Sequence, residues 1–301
     1  MGRHVIVGAG AVGSEVADLL VDRGEQVVLV SRRGTGPSHP SVERIAADAN
    51  DAERLTGIAA GADVLYNCLN PEYHRWLTDW PPLHAALLIA AERSGAVLAS
   101  VNNLYPHGPV TGPMTQDTPD VATHPKLRLR GQMWHDEVEL HRQGRIRATE
   151  VRGSDYIEAN SIFTFGLAKP LLAGKRAMVP GALDVPHTWT SIRDVARSLV
   201  TVAANERGHG RSWPVPSNPA LTVRQLATRF CRVHGVPEPK LSSIPYPVFW
   251  VAGLFDPMAK ELRTTRYQFV RPFVLDSSVT ERTFDLRPTE LDTALKSVRV
   301  P

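Results

Sequence analysis

The sequence predicts an α/β protein: a doubly wound parallel sheet carrying a smaller C-terminal lobe. Short apolar runs alternate with amphipathic stretches from residue 5 onward, the first run is closed by a glycine-rich turn, and prolines break the pattern beyond about residue 156. Strand followed by helix, repeated, implies right-handed crossovers and therefore parallel neighbours.

The elements follow in order. Val5-Ile6-Val7 reads as the first strand, and Val12 to Arg23 as a helix with Val16, Leu19 and Leu20 on one face. Gln26 to Ser31 repeats the strand signal, and a polar stretch leads to Val42-Glu43-Arg44-Ile45-Ala46. A short helix from Ala52 precedes a strand over Asp63 to Cys68, Leu83 to Ser94 reads as a largely buried helix, and Ala96 to Val101 as the next strand. Lys126 to Gln143 is a long helix and Ile146 to Val151 a further strand. Beyond them, helices are expected at Ser191 to Asn205, Thr222 to His234 and Thr289 to Ser297. The expected division is a sheet domain over 1–155 and a mixed α/β substrate-binding lobe over 156–301, with elements interleaved.

Composition removes several classes of function. A chain of 301 residues with 43% hydrophobic and 22% charged residues can bury a large core and is not disordered. The net charge of +3 is spread among acids with no long basic run, so nucleic acid is not expected as a partner. The start, Met1-Gly2-Arg3-His4, enters a strand directly, which leaves no room for a secretory signal and makes Gly2 a poor myristoylation site. The longest apolar run, around Leu83 to Ala91, is far too short to span a bilayer. A cytoplasmic monomer or homodimer acting on a small molecule is expected, with no membrane partner. Cys68 and Cys231 are the only cysteines, so neither a zinc cluster nor a disulfide framework is expected.

Gly8-Ala9-Gly10-Ala11-Val12-Gly13 is a Gly-x-Gly-x-x-Gly run between the first strand and the first helix. The first glycine permits a tight turn, the second lets the backbone approach a pyrophosphate, and the third allows close packing of helix on strand. Free N–H groups at the helix N-terminus then face the phosphates. This is the context of a Rossmann-type dinucleotide site. An NAD-specific site places Asp or Glu at the end of the second strand, for the ribose hydroxyls. Here the strand ends Ser31-Arg32-Arg33: a hydroxyl and two guanidiniums suited to a 2′-phosphate, or else a pair of solvated arginines. NADP(H) is therefore the expected cofactor. Asp48, ahead of Ala49, could accept from an adenine amino group, and Asp51 caps the next helix. Asn67-Cys68-Leu69, at the carboxyl end of its strand, should border the cofactor.

Together, the glycine run, Asp48-Ala49-Asn50-Asp51, Leu104-Tyr105-Pro106-His107-Gly108-Pro109 and His187-Thr188-Trp189-Thr190-Ser191-Ile192-Arg193-Asp194-Val195-Ala196 resemble the extended short-chain dehydrogenase/reductase superfamily. The NAD-dependent epimerase/dehydratase branch is the nearest likeness. It covers about the whole chain, more loosely in the last third. In that family a Ser or Thr ends strand five ahead of Val-Tyr-Gly, and a Tyr-x-x-x-Lys pair follows on the next helix. In this chain Val101 stands at the hydroxyl position, with Ser100 one place off and expected on the opposite face. Lys126 and Arg130 stand where the Tyr and Lys belong. The resemblance implies an atypical member, in which the family's phenol and ribose-holding lysine are replaced.

Tyr105 is the remaining candidate acid, because it follows strand five at the carboxyl edge of the sheet; the bland alternative is a ring that packs. Lys126 is either a desolvated proton donor or a solvated lysine at a helix start, and Arg130 could still hold ribose. Asn102 and Asn103 either orient a carbonyl or form a turn. His107, His124, His135 and His187 lack metal-ligand spacing, so no metal is expected. His187 is expected to join the lobes, Asp194 to serve as a first-turn acid, and Arg152 either to touch substrate or to pair internally. Phe249, Trp250, Phe255, Tyr267 and Phe269, with Tyr246 close by, are core or the lining of an apolar pocket. The expected function is an NADP(H)-dependent reductase of a small organic carbonyl, enone or imine, aromatic ones included. The alternatives are a sugar-nucleotide epimerase or dehydratase and a non-catalytic NADP(H)-sensing regulator.

Overall fold

Every strand of the main sheet runs parallel to its neighbours. The computed structural model describes residues 1–159, 161–255 and 257–298. In chain order the first half contains β1 (Arg3–Val7), α1 (Ala11–Asp22), β2 (Gln26–Ser31), β3 (Val42–Ala46), α2 (Ala52–Ala59), β4 (Val64–Asn67), α3 (Trp76–Ser94), β5 (Val97–Asn103), α4 (Pro125–Arg142) and β6 (Arg147–Gly153). The second half contains β7 (Asp155–Tyr156), α5 (Lys169–Leu172), β8 (Ala177–Val179), β9 (Trp189–Thr190), α6 (Ile192–Ala203), β10 (Ser212–Pro214), α7 (Val223–Val233), β11 (Leu241–Ser243), α8 (Tyr246–Ala252), α9 (Pro257–Thr265), α10 (Ser278–Phe284) and α11 (Leu291–Lys296). The seven-stranded sheet has the order β10-β6-β5-β4-β1-β2-β3, the doubly wound arrangement expected.

The central strands β1, β2 and β4 are apolar over most of their length because both faces are covered. Ile6 and Leu29 point to one side, where Val16 and Leu20 of α1 meet Val195 and Leu199 of α6. Their neighbours Val5, Val7, Val28 and Val30 point to the other, against Leu55 and Ile58 of α2 and Leu87 and Ala90 of α3. α6 and β10 come from beyond residue 156 yet lie in this layer, with Trp213 and Val215 in its core. A separate core, including Phe163, Trp189, Leu226, Phe230 and Leu295, holds the lobe together.

The start of α3 departs furthest from expectation. α3 begins at Trp76, seven residues before Leu83, and runs through Pro81 and Pro82. An interior proline costs about 3 kcal/mol through its lost N–H and its clash. Trp76 and Trp80 are both buried, against Met133, and truncating a buried indole costs about 3–5 kcal/mol, so tertiary packing outweighs the local penalty.

Candidate functional site

The carboxyl ends of β1, β2, β4 and β5 share one edge of the sheet, which carries the glycine turn after Val7, Ser31, Asn67 and Asn103. Gly8 has a φ of +111°, and a Cβ on it would lie 2.6 Å from the Cys68 carbonyl oxygen, so the crossing segment 67–69 requires glycine. A Cβ on Gly13 would lie 1.8 Å from the Gly8 oxygen, which is the close contact of helix on turn. At Gly10 a Cβ would meet nothing within 4 Å. Gly10 caps α1 without a side-chain bond, and no acid occupies the first turn. Open space at the positive end of a helix dipole is what a pyrophosphate needs, so the turn fits the group.

The loop after β2 lies against this turn. A Cβ on Gly36 would meet Leu29 at 2.2 Å and Ala9 at 3.5 Å, and the Ser31 hydroxyl accepts from the Thr35 amide at 2.8 Å. That bend leaves Arg32 and Arg33 exposed with no carboxylate at the strand end. Asp48 is exposed and accepts from the Asn50 backbone amide at 3.0 Å, while Ala49 is buried beneath it. Asp51 caps α2 as expected, accepting from the Arg54 amide. Asn67 is buried, its Oδ1 accepting from the Leu69 amide at 3.3 Å. Burial pushes the Cys68 thiol up to about 12, so it sits beside the turn as an inert thiol.

Tyr105 stands one turn past β5, its amide donating to Asn103 Oδ1 at 3.0 Å. Asn103 therefore forms a turn, and Asn102, bonded to Glu150 and Arg130, is structural. The Tyr105 ring is half-buried against Trp76 (6.0 Å) and Tyr73 (6.3 Å). Burial, reinforced by Tyr73 and the Asp155 carboxylate, holds its phenol well above the ordinary value, so it is protonated at neutral pH.

The two residues standing at the family's Tyr and Lys positions behave differently from expectation. Lys126 is neither solvated nor an uncommitted donor: its buried Nζ donates to the Tyr73 carbonyl at 2.9 Å and to the Glu261 carboxylate of α9. Arg130 does not reach for a ribose. Its guanidinium is buried under β5, donating to Asn102 Oδ1 and the Val101 carbonyl at 2.8 Å each and lying 4.3 Å over Trp80. Burial pulls it down to about 10, against the raising effect of Glu150 and Glu137, so it remains cationic.

The other residues left open resolve structurally. Arg152 lies within β6 rather than past it and pairs with Asp120 and Glu150. Burial opposes the Asp120 carboxylate, but His107 and Arg152 hold it well below the usual range. Ser100 is buried and donates to Glu137 of α4 at 2.9 Å. His187 bonds Asp155 at 2.9 Å and stacks on Phe269, tying β7 to the lobe. Asp194 accepts from the Thr289 amide at 2.7 Å. Of the C-terminal aromatics, Phe249 and Phe269 are buried, whereas Tyr246, Trp250 and Phe255 are exposed, so those three form neither core nor pocket.

No protein-family model matches the sequence, and no curated protein matches it. Solved structures match over nearly the whole chain. A UDP-glucose 4-epimerase with UDP-glucose from Thermotoga maritima is 15% identical, covers 98% of this chain and 97% of that one, and has a TM-score of 0.78. A dTDP-glucose 4,6-dehydratase in complex with NAD from Bacillus anthracis is 12% identical over 99% and 96% of the two chains, with a TM-score of 0.78. A UDP-N-acetylglucosamine 4-epimerase in complex with UDP-N-acetylmuramic acid from Methanobrevibacter ruminantium is 14% identical over 99% and 96%, with a TM-score of 0.79.

The chain shares their fold. That agrees with the likeness to the epimerase/dehydratase branch, at identities that carry the fold and nothing finer. In this fold the ligand crevice lies outside the carboxyl ends of the strands, the edge after which the glycine turn, the Ser31 loop and the Tyr105 turn follow. Sequence reasoning missed Tyr73, Trp76, Asp155 and Glu261, which surround Tyr105 and Lys126. The run of aromatics between Tyr73 and Trp80 was a usable signal for the first two. Glu261 lies 135 positions from Lys126, and nothing local marks it.

Proposed function

We propose that the protein is an NADP(H)-dependent reductase of a small organic carbonyl, enone or imine. The observation that carries this reading is the end of β2, where Ser31, Arg32 and Arg33 stand beside an open glycine turn with no carboxylate. The amides around Gly10 bind the pyrophosphate, Arg32 and Arg33 the 2′-phosphate, and Asp48 takes the adenine amino group. When bound, NADPH supplies the hydride. Tyr105 holds the proton at Oη, kept there by burial, while Tyr73 and Trp76 wall it from water. Lys126 and Arg130, spent on Glu261 and Asn102, position the walls rather than the substrate. A conjugated enone, quinone-like ring or imine needs less electrophilic help than a simple ketone, and so suits a site without the Tyr-x-x-x-Lys pair.

Full-length likeness to sugar-nucleotide enzymes supports a second reading, epimerase or dehydratase, which the internal engagement of Lys126 and Arg130 opposes. Fluorescence titration of NADPH and NADH tests the cofactor assignment. NADPH should bind more tightly, and Arg32→Ala or Arg33→Ala should cost about 1.5–3 kcal/mol of that affinity. Equal affinity for both cofactors, or silent variants, overturns it. Single-turnover oxidation of bound NADPH by a panel of enones, quinones and imines, run beside UDP-glucose conversion with NAD, then separates reductase from epimerase. Binding with no turnover in either assay indicates an NADP(H) sensor.

A further inference from the structure

The stretch 246–255 contains no charged residue and turns most of its large side chains outward. Val248 is 59% exposed, Leu254 60% and Phe255 85%, with Tyr246, Trp250 and Val251 also exposed; Phe249 alone among the large side chains is buried, at 6%. Clustered exposure of this kind is uncommon on a protein that stays in water, and marks an interaction surface. Two cations are set over its rings. The Arg263 guanidinium lies 4.8 Å over Trp250 and donates to its carbonyl, and that of Arg266 lies 4.3 Å over Tyr246. From 246 to 271 the acids are Asp256 and Glu261 and the cations Lys260, Arg263, Arg266 and Arg271. Glu261 is turned inward to Lys126, so among the described residues of the stretch the charges left outside that pair are cations.

We infer that α8 and the turn after it form an interfacial anchor that seats the protein on an anionic phospholipid surface. Aromatic rings sit at the headgroup level, Leu254 and Phe255 enter the acyl boundary, and Arg263 and Arg266 meet lipid phosphates and carboxylates. α8 has seven residues, so it lies in the plane of the interface and does not span it. A second copy is the weaker occupant, because a two-fold contact on this face would set the arginines of both chains against each other. The inference concerns binding alone and does not depend on the reductase reading.

The test is flotation of the full chain with vesicles of phosphatidylcholine, with and without phosphatidylserine. The protein should float with the phosphatidylserine vesicles, and salt should weaken the association. The double variant Leu254→Ser/Phe255→Ser should lose about tenfold or more in partitioning, since two apolar side chains no longer leave water for the acyl boundary. Arg263→Gln/Arg266→Gln should erase the preference for phosphatidylserine. Leu254 and Phe255 are exposed, so their double variant should keep the wild-type melting temperature; Arg263 and Arg266 are half-buried over their rings, so the arginine variant is melted beside the flotation assay to confirm that it is folded. Failure of the wild type to float with the anionic vesicles, or undiminished flotation of Leu254→Ser/Phe255→Ser, overturns the inference. So does a dimer in sedimentation velocity that the same variant dissociates while vesicles bind neither protein.

Discussion

Gly10 is the residue at which ligand binding and folding come apart. Because a Cβ there meets open space, Gly10→Val should melt within a degree or two of wild type, as judged for a change that adds no clash, yet lose NADPH binding by fluorescence. Gly13→Val is the contrast: its Cβ would strike the Gly8 oxygen at 1.8 Å, and the melt itself should fall. Tyr105 allows a second experiment of this kind. A removed general acid costs about 10²–10⁴ in rate, so Tyr105→Phe should lower turnover by that order with NADPH affinity kept. A nearly silent Tyr105→Phe would assign proton delivery to substrate or water.

At the scale of elements, α4 is fastened to β5 and β6 by ionisable groups set in the interior. Glu137 is buried with His84 Nδ1 3.8 Å away and Ser100 bonded to it, and burial together with Glu150 pushes its carboxyl well above the ordinary range. Burial likewise drops His84 to about 4, against the raising effect of Asp136, so at neutral pH the pair faces each other uncharged. The sign follows from proton counts. Above the unfolded value of about 4.3 the unfolded chain has released the Glu137 proton while the folded chain retains it, so this group makes stability fall as pH rises. Glu137→Gln should remove that slope and leave the protein at least as stable at pH 7 in urea titrations. Lower stability of the variant at pH 7 would mean that the carboxylate is ionised in the fold. Legibility in the sequence follows the same division. Strands and glycines could be read because their chemistry is local: Gln26–Ser31 has the bounds expected, and each glycine of the turn has its assigned surroundings. Arg130, Lys126 and the start of α3 could not, because each is set by partners far along the chain, at Asn102, Glu261 and Met133.

For the whole molecule, the outer edge of the main sheet beyond β6 is closed by β10, and one face of that sheet by α6, both contributed after the chain has left to start the lobe. A fragment ending at residue 155 would therefore leave β6 with an unpaired edge and Val16 and Leu20 without α6 above them. Expressed alone, residues 1–155 should be insoluble or bind the dye ANS, whereas residues 1–216 should recover protected amides in β6. An equally soluble, cooperatively melting 1–155 fragment would refute this. During synthesis, the nascent sheet must wait for some sixty further residues, on the order of several seconds at ribosomal speed, before its last strand arrives. Through that interval a parallel edge and an apolar face are open to any neighbouring chain, so yield in cells should depend on chaperone supply and growth temperature more than on the equilibrium stability of the finished protein.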